Sequence, residues 1–178
     1  MAKQKHLMEY RYYEIPAGHY VLALLGEVWE RNYGADMKDL LHFHNYMEIG
    51  YCYWGSGTLV IEDSILTYKG GINTIIPENV PHTTESVEGG LCKWEYLFVD
   101  IEGFIRHEMR VKGLMPEEII KRINKQSYCL QWNQNKMLTS IIRSILEEYR
   151  ERSNYYKETV KGYLRSLVVE LLRINEDM

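Results

Sequence analysis

The sequence has no basic excess. Its 21 Lys and Arg are outnumbered by 25 Asp and Glu, giving a formal net charge of −4 over 178 residues. A domain that grips nucleic acid by itself usually carries a basic stripe, so direct DNA binding by this chain is not expected. No apolar run approaches the roughly 18 residues a membrane helix needs, so no membrane partner is expected. The opening MAKQKHLMEYRYYE is charged and aromatic rather than basic and then apolar, and no secretory leader is read there. Cysteine is scarce. Cys52, Cys92 and Cys129 are an odd number, widely spaced, with no CxxC. They read as reduced thiols in a cytoplasmic protein rather than a disulfide framework or a thiolate metal site. Internal repeats and low-complexity tracts are missing too.

What remains is 46% hydrophobic and 26% charged, enough for one ordinary core with a helical appendage and too little for two large domains. Tyrosine is abundant at 15 residues, a composition that suits pockets and interfaces. From Tyr10 to about Asn32 the chain reads as extended segments broken at Pro16-Ala17-Gly18, followed by a turn over residues 32–36. TLVIED, ILTYKG, INTIIP and LCKWEYLFVDI are short β-branched and aromatic runs, with a hairpin connection at Asp63-Ser64. TTESVEGG reads as a loop. Strands of this length and spacing point to a barrel or sandwich.

After about Gly103 the pattern turns helical. FIRHEM is a short helix, and Pro116-Glu117-Glu118 marks another helix start. A helix from about Asn135 to Glu151 carries Leu138, Ile141, Ile142, Ile145 and Tyr149 on one side. A last helix after Ser153-Asn154, a cap, places Val160, Leu164, Leu167, Leu171 and Ile174 at alternating spacings of four and three. That is a seam for helix packing. It fits a dimer interface (Val160, Leu164, Leu167, Leu171) or a hairpin folded back on the barrel. The expected division is a barrel over residues 1–103 and a helical dimerisation or linker segment over residues 104–178.

The chemistry concentrates in HFHNYMEIGYCYWG, residues 42–55, and in GINTIIPENVPH, residues 71–82. Side chains two apart share a strand face, so His42, His44 and Glu48 align if the strand has no bulge. His82 supplies a fourth donor. Three imidazoles and a carboxylate suit a divalent transition metal such as Zn, Ni, Mn or Fe(II). They can equally pair among themselves, with Glu48 on a histidine or an arginine. On the strong strand, Trp94, Tyr96 and Phe98 share one face and Lys93, Glu95 and Leu97 the other, and a Trp on an inner face could stack on a sugar ring.

His42, His44, Glu48, Gly55, Gly71, Pro77 and His82 resemble the two motifs of the cupin superfamily. Asn79 stands where the second motif usually has Gly, and Asn is the next best residue for a left-handed turn. Ser86 stands where an asparagine is expected. In order, HFHNYMEIGYCYWGSGTLVIED, IIPENVPH, KWEYLFVDI and the paired helices resemble the amino-terminal regulatory domain of AraC-family transcription regulators, from about Pro16 to Met178. The resemblance implies a mainly β fold with α: a cupin-like double-stranded β-helix (jelly-roll) barrel followed by a carboxy-terminal helical hairpin. It implies a non-enzymatic sensor of a small effector, often a sugar, acting as a homodimer. Contact with DNA would come only through a carboxy-terminal helix-turn-helix domain not contained in this sequence. The site it implies is His42, His44, Glu48 and His82, with Trp94 and Glu95 as further ligand contacts. The competing expectation is a stand-alone metal-dependent cupin enzyme, an oxygenase or isomerase, which has no need of the helical tail from about residue 134 to 176.

Overall fold

The structure, a computed structural model, describes residues 8–34 and 40–176. The last two residues of the turn expected at 32–36 lie outside them. The strands are β1 (Glu9–Arg11), β2 (Val21–Leu24), β3 (Glu30–Arg31), β4 (His42–His44), β5 (Met47–Trp54), β6 (Ser56–Ile61), β7 (Ser64–Lys69), β8 (Ile72–Ile76), β9 (His82–Ser86) and β10 (Cys92–Val99). Then come α1 (Ile101–Glu108), α2 (Pro116–Ile123), β11 (Tyr128–Gln131), α3 (Lys136–Glu151) and α4 (Tyr156–Glu176).

Among the described residues the strands form two sheets, ordered β1-β4-β9-β6-β7 and β11-β8-β5-β10-β2, with β3 pairing on β10. The period-2 pattern decides what each face covers. Cys52, Leu59, Ile61, Tyr68, Ile72, Ile76, Trp94, Tyr96 and Phe98 meet between the two sheets as the barrel core. Met47, Ile49, Tyr51, Ile75, Leu97 and Val99, on the other face of the second sheet, form one cluster with the helices. Burying each such side chain contributes about 1.5–3 kcal/mol. The result is a cupin-like double-stranded β-helix barrel with a carboxy-terminal helical layer. The hairpin read at Asp63-Ser64 is present, pairing Ile61 with Ser64, and Glu62 takes φ 52 in its turn.

Helix ends follow their local chemistry. The Asp100 carboxylate caps α1 by accepting from Gly103 N–H at 2.9 Å, and Asn135 caps α3 by accepting from Leu138 N–H at 2.9 Å. Pro116 opens α2, its missing donor being one the first turn does not use. Among the described residues no helix is long and apolar enough to cross a membrane.

Three readings differ. Residues 83–86, taken as part of a loop, continue β9 from His82, because β6 and β4 lie on either side and pair with the strand. YCLQ, read inside a helical region, is β11, an edge strand on β8 that returns the chain to the barrel beyond residue 103. The proposed dimer seam is internal: Val160, Leu164, Leu167 and Leu171 are between 0 and 3% exposed in the single chain. They pack with Leu138, Ile142 and Ile145 of α3 in the cluster beneath the helices. A stripe at helical spacing must be covered, and here the chain covers its own.

Candidate functional site

The four polar donors converge from opposite sheets rather than from one strand face. β4 presents His42 and His44 inward, with Phe43 less buried between them. At Asn45-Tyr46 the chain bends out of the first sheet into β5 of the second, so Glu48 faces the histidines across the barrel. The Asn45 amide stabilises that bend from outside, accepting from Tyr13 N–H at 2.9 Å and donating to the Tyr13 carbonyl at 3.0 Å. His82 follows the turn between Pro77 and Pro81. Asn79 adopts φ 60 there, the left-handed conformation expected of it, and its N–H donates to the His44 carbonyl at 2.9 Å. Pairing of β4 with β9 sets His42 opposite His82, with ring centroids 4.6 Å apart.

One candidate ligand atom from each of His42, His44, Glu48 and His82 lies within 4.8 Å of the others, and all four residues are buried. The Nε2 atoms of His44 and His82 stand 3.3 and 3.4 Å from the same oxygen of Glu48. His42 Nδ1 lies 2.9 Å from the Leu40 carbonyl and His82 Nδ1 lies 2.8 Å from the Val80 carbonyl. A carbonyl only accepts, so both Nδ1 atoms carry hydrogen and both Nε2 atoms face the cluster.

Burial pushes the His42 imidazole down to about 3 and that of His44 down to about 4, so both are neutral at neutral pH. Burial opposes ionisation of Glu48, but His82, then His44 and His42, outweigh it and bring its carboxyl to about 2. Burial likewise opposes charge on His82, and the Glu48 carboxylate more than offsets it, raising its pKa. His82 therefore holds a second proton more readily than His42 or His44, beside the Glu48 carboxylate.

Such a cluster fits a cation. The buried Nε2 atoms of His44 and His82 have no partner at hydrogen-bonding geometry, which costs about 1–3 kcal/mol each unless something else satisfies them. Three imidazole nitrogens and a carboxylate oxygen match the preferences of divalent transition metals.

Beside the cluster lies a cavity of about 310 Å³, with His42, Glu48 and His82 in its lining. Tyr96 and Phe98 also line it, on the β10 face identified from sequence. Trp94 does not. It is fully buried in the barrel core, lying over Gly50, where a Cβ would come 3.2 Å from the indole. Glu95 is on the opposite face, beneath α3, paired with Arg150 at 2.6 Å. Both leave the list of ligand contacts. Arg11, Tyr13, Trp29, Arg31 and Tyr33 join the lining instead. They come from β1, β3 and the segments around them, where no motif marks them. Only the abundance of tyrosine over the whole chain hinted at such a role.

The AraC-like ligand-binding domain family matches residues 30–168. No curated protein sequence matches the chain. Among solved structures, an apo point variant of ToxT from Vibrio cholerae strain SCE256 is 12% identical, with TM-score 0.53 over 88% of this chain and 56% of its own. The AraC-like transcriptional activator CuxR is 13% identical, with TM-score 0.46 over 74% of this chain and 42% of its own. Oxalate decarboxylase of Bacillus subtilis, a protein with Mn(II) centres, is 20% identical, with TM-score 0.30 over 51% of this chain and 29% of its own. This chain thus spans little more than half the length of the ToxT structure and less of the other two. The ToxT likeness supports the fold, and the family match extends over most of the sequence: the chain belongs to the AraC-like ligand-binding domain family.

Proposed function

We propose that this chain is the effector-sensing part of an AraC-type regulator. A small molecule binds between the two sheets, and the helices pass its presence to a helix-turn-helix domain outside this sequence. The observation that carries this reading is the cavity of about 310 Å³, walled by aromatic side chains and opening onto the buried cluster. Small-ligand sites are concave, with aromatic walls and convergent polar groups that fix orientation. A ligand that binds one arrangement of Trp29, Tyr96 and Phe98 more tightly than another shifts the population of barrel conformations. β10 then carries the shift to α3 through Glu95 and Arg150.

His42, His44, Glu48 and His82 would hold a divalent transition metal, which would supply a positive, Lewis-acidic centre for an oxygen of the ligand. The chain's own part is to bury the four donors and to keep the His42 and His44 imidazoles neutral. A homodimer, expected from the resemblance, would use surfaces other than the α4 stripe, since that stripe is covered. The same cluster supports a second reading, a metal-dependent cupin enzyme. Turnover that requires the ion and is lost in His82→Ala would favour it.

The sensing role is tested by a thermal-shift screen of small molecules on the wild type and on Phe98→Ala. A ligand that raises Tm in the wild type and fails in the variant supports the cavity as the sensor. Ligands that act equally on both place binding elsewhere and sink the proposal.

A further inference from the structure

The first sheet ends on β7, and among the described residues no strand pairs with its outer side. Edge strands are usually blunted by shortness, a mid-strand charge, a proline or a bulge. The other sheet ends are short: β1, with Glu9 and Arg11 flanking Tyr10, has three residues, and β2 and β11 have four each. β7 runs for six, Ser64-Ile65-Leu66-Thr67-Tyr68-Lys69, in unbroken register with β6. Its one charge stands at the last position. Ile65 is 73% exposed and Leu66 39%. Ile65, Leu66 and Thr67 are successive residues and so come from both strand faces. They line one open groove of about 410 Å³ with Ile72, Cys129 and Gln131. What lies open there is the edge itself, with its backbone donors and acceptors.

The hairpin fixes which backbone groups those are. A two-residue loop closes on a pair that exchanges both backbone bonds, so Ile61 and Ser64 bond to each other. Bonded pairs then alternate, and Leu66 and Tyr68 also turn their backbone groups to β6. Gly70 N–H, donating to the Gly55 carbonyl at 2.8 Å, continues the same parity. Ile65, Thr67 and Lys69 therefore point their groups outward.

Two copies of β7 related by a two-fold axis satisfy that parity when Leu66 lies on the axis. Ile65 then exchanges backbone bonds with the partner's Thr67. Leu66 meets the partner's Leu66 at a non-bonded position, where side chains come closest. The same register sets Asp63 opposite the partner's Lys69, twice by symmetry. Both side chains are exposed, and among the described residues neither has an ionic partner. Six residues apart on a strand, about 20 Å, they cannot pair within one chain. Sliding by two residues, the smallest step that keeps the parity, puts Lys69 against the partner's Ile65 and loses both pairs.

We propose that β7 is a homodimer edge: two copies pair their β7 strands antiparallel about Leu66, so that the five-stranded sheet of one runs on into that of its partner. The occupant is a second copy because the edge complements itself in backbone parity, in apolar contact and in charge. The inference names the surface of the homodimer included in the reading above and is independent of what the cavity binds. One short strand pair makes a small interface of the transient class, so the dimer population follows protein concentration.

The test is sedimentation equilibrium of the 178-residue chain over a dilution series reaching about 1 mM, a range that captures weak association. Wild type should dimerise reversibly. Thr67→Pro removes an outward N–H that the hairpin does not use, and proline is tolerated at such an edge position. It should weaken the dimer at least about tenfold, since a proline has no donor for the new ladder. Asp63→Lys and Lys69→Asp should each weaken it at least about threefold, because like charges then meet across the axis. Combining the two should restore wild-type association, a rescue that a structural role of either residue within its own chain would not give. Circular dichroism of each variant confirms an intact barrel. A dimer insensitive to all of these changes overturns the β7 edge while a homodimer through another surface stands. Loss in the single charge variants without rescue in the double overturns the pairing about Leu66. A monomer at every concentration overturns both the edge and the homodimer, and leaves β7 to an extended segment of a different protein. The Phe98→Ala thermal screen decides the sensing role separately in each case.

Discussion

Glu95 on β10 and Arg150 on α3 are ion-paired at 2.6 Å across the boundary between barrel and helices. The same carboxylate accepts from the Tyr53 hydroxyl at 2.6 Å and from Gly26 N–H at 3.0 Å. Gly26 is clamped on its other side by Lys93, which donates to its carbonyl. Three residues further on, Trp29 lines the cavity, as do Tyr96 and Phe98 on β10 itself. One buried carboxylate therefore ties two walls of the cavity to the helical layer.

Arg150→Met leaves Glu95 buried with two of its three partners. It should lower stability by about 1–3 kcal/mol, measured by urea denaturation. Glu95→Gln should cost less, because it leaves no buried charge. Equal stability of Arg150→Met and wild type would mean that the pair does not hold the layers together.

The same carboxyl sets an acid dependence. Burial pushes its pKa up, but the Tyr53 hydroxyl, Gly26 N–H and Arg150 outweigh that and hold it below the ordinary value. The unfolded chain then takes up the proton first. The stabilisation is fully present above the unfolded value of about 4.3 and is lost as pH falls through the lower folded value. In urea denaturation below about pH 4.3, wild type should lose stability more steeply than Glu95→Gln. Parallel curves would show that Glu95 has no part in the acid limb.

The donor cluster predicts the source of a released proton. His42 near 3 and His44 near 4 hold no second ring proton at neutral pH, whereas His82 is raised. Uptake of a cation should draw any proton it releases from His82 rather than from His42 or His44, and should weaken as pH falls. Calorimetry with Zn²⁺ or Mn²⁺ in buffers of different ionisation enthalpy measures this directly. A count near three would mean that the rings are protonated in the ion-free protein, contrary to their burial.

Leu164→Asp and Leu171→Asp should unfold the chain rather than dissociate a dimer. Both residues are 0% exposed within the single chain, and an unpaired carboxylate there costs on the order of 4 kcal/mol or more. Circular dichroism and sedimentation separate the outcomes. A folded monomer from either variant would show that the stripe belongs to an interface between copies after all.

Asn79 holds φ 60 in the turn before His82. Asn79→Ala should therefore cost about 1 kcal/mol, and Asn79→Gly should be neutral or stabilising, since only glycine enters that region freely. Thermal melts of the two variants decide it. Equal losses in both would point to the Asn side chain rather than to backbone strain.

Much of the fold was legible because its signals are local. β-branched runs broken by Gly and Pro marked most barrel strands, and Asn135, which marked the start of α3, holds its first turn through a bond spanning three residues. β9 and β11 were not legible, because HTTES and YCLQ become strands only when β6, β4 and β8 supply the other half of each ladder. Context outweighs propensity most in short strands.

His42, His44, Glu48 and His82 were singled out from their chemical types and spacing, and the structure brings one donor atom of each within 4.8 Å of the others. Their convergence from two facing sheets was not readable, because it depends on the bend at Asn45, fastened by Tyr13 32 residues away. Alternation in β10 named Tyr96 and Phe98 as companions of Trp94. It left open which of them borders empty space and which is packed solid. Periodicity states which side chains must be covered, but what covers them is a long-range matter. For that reason the tertiary structure alone sends the α4 stripe onto its own α3, Glu95 to Arg150, and Arg11 and Arg31 into the cavity wall.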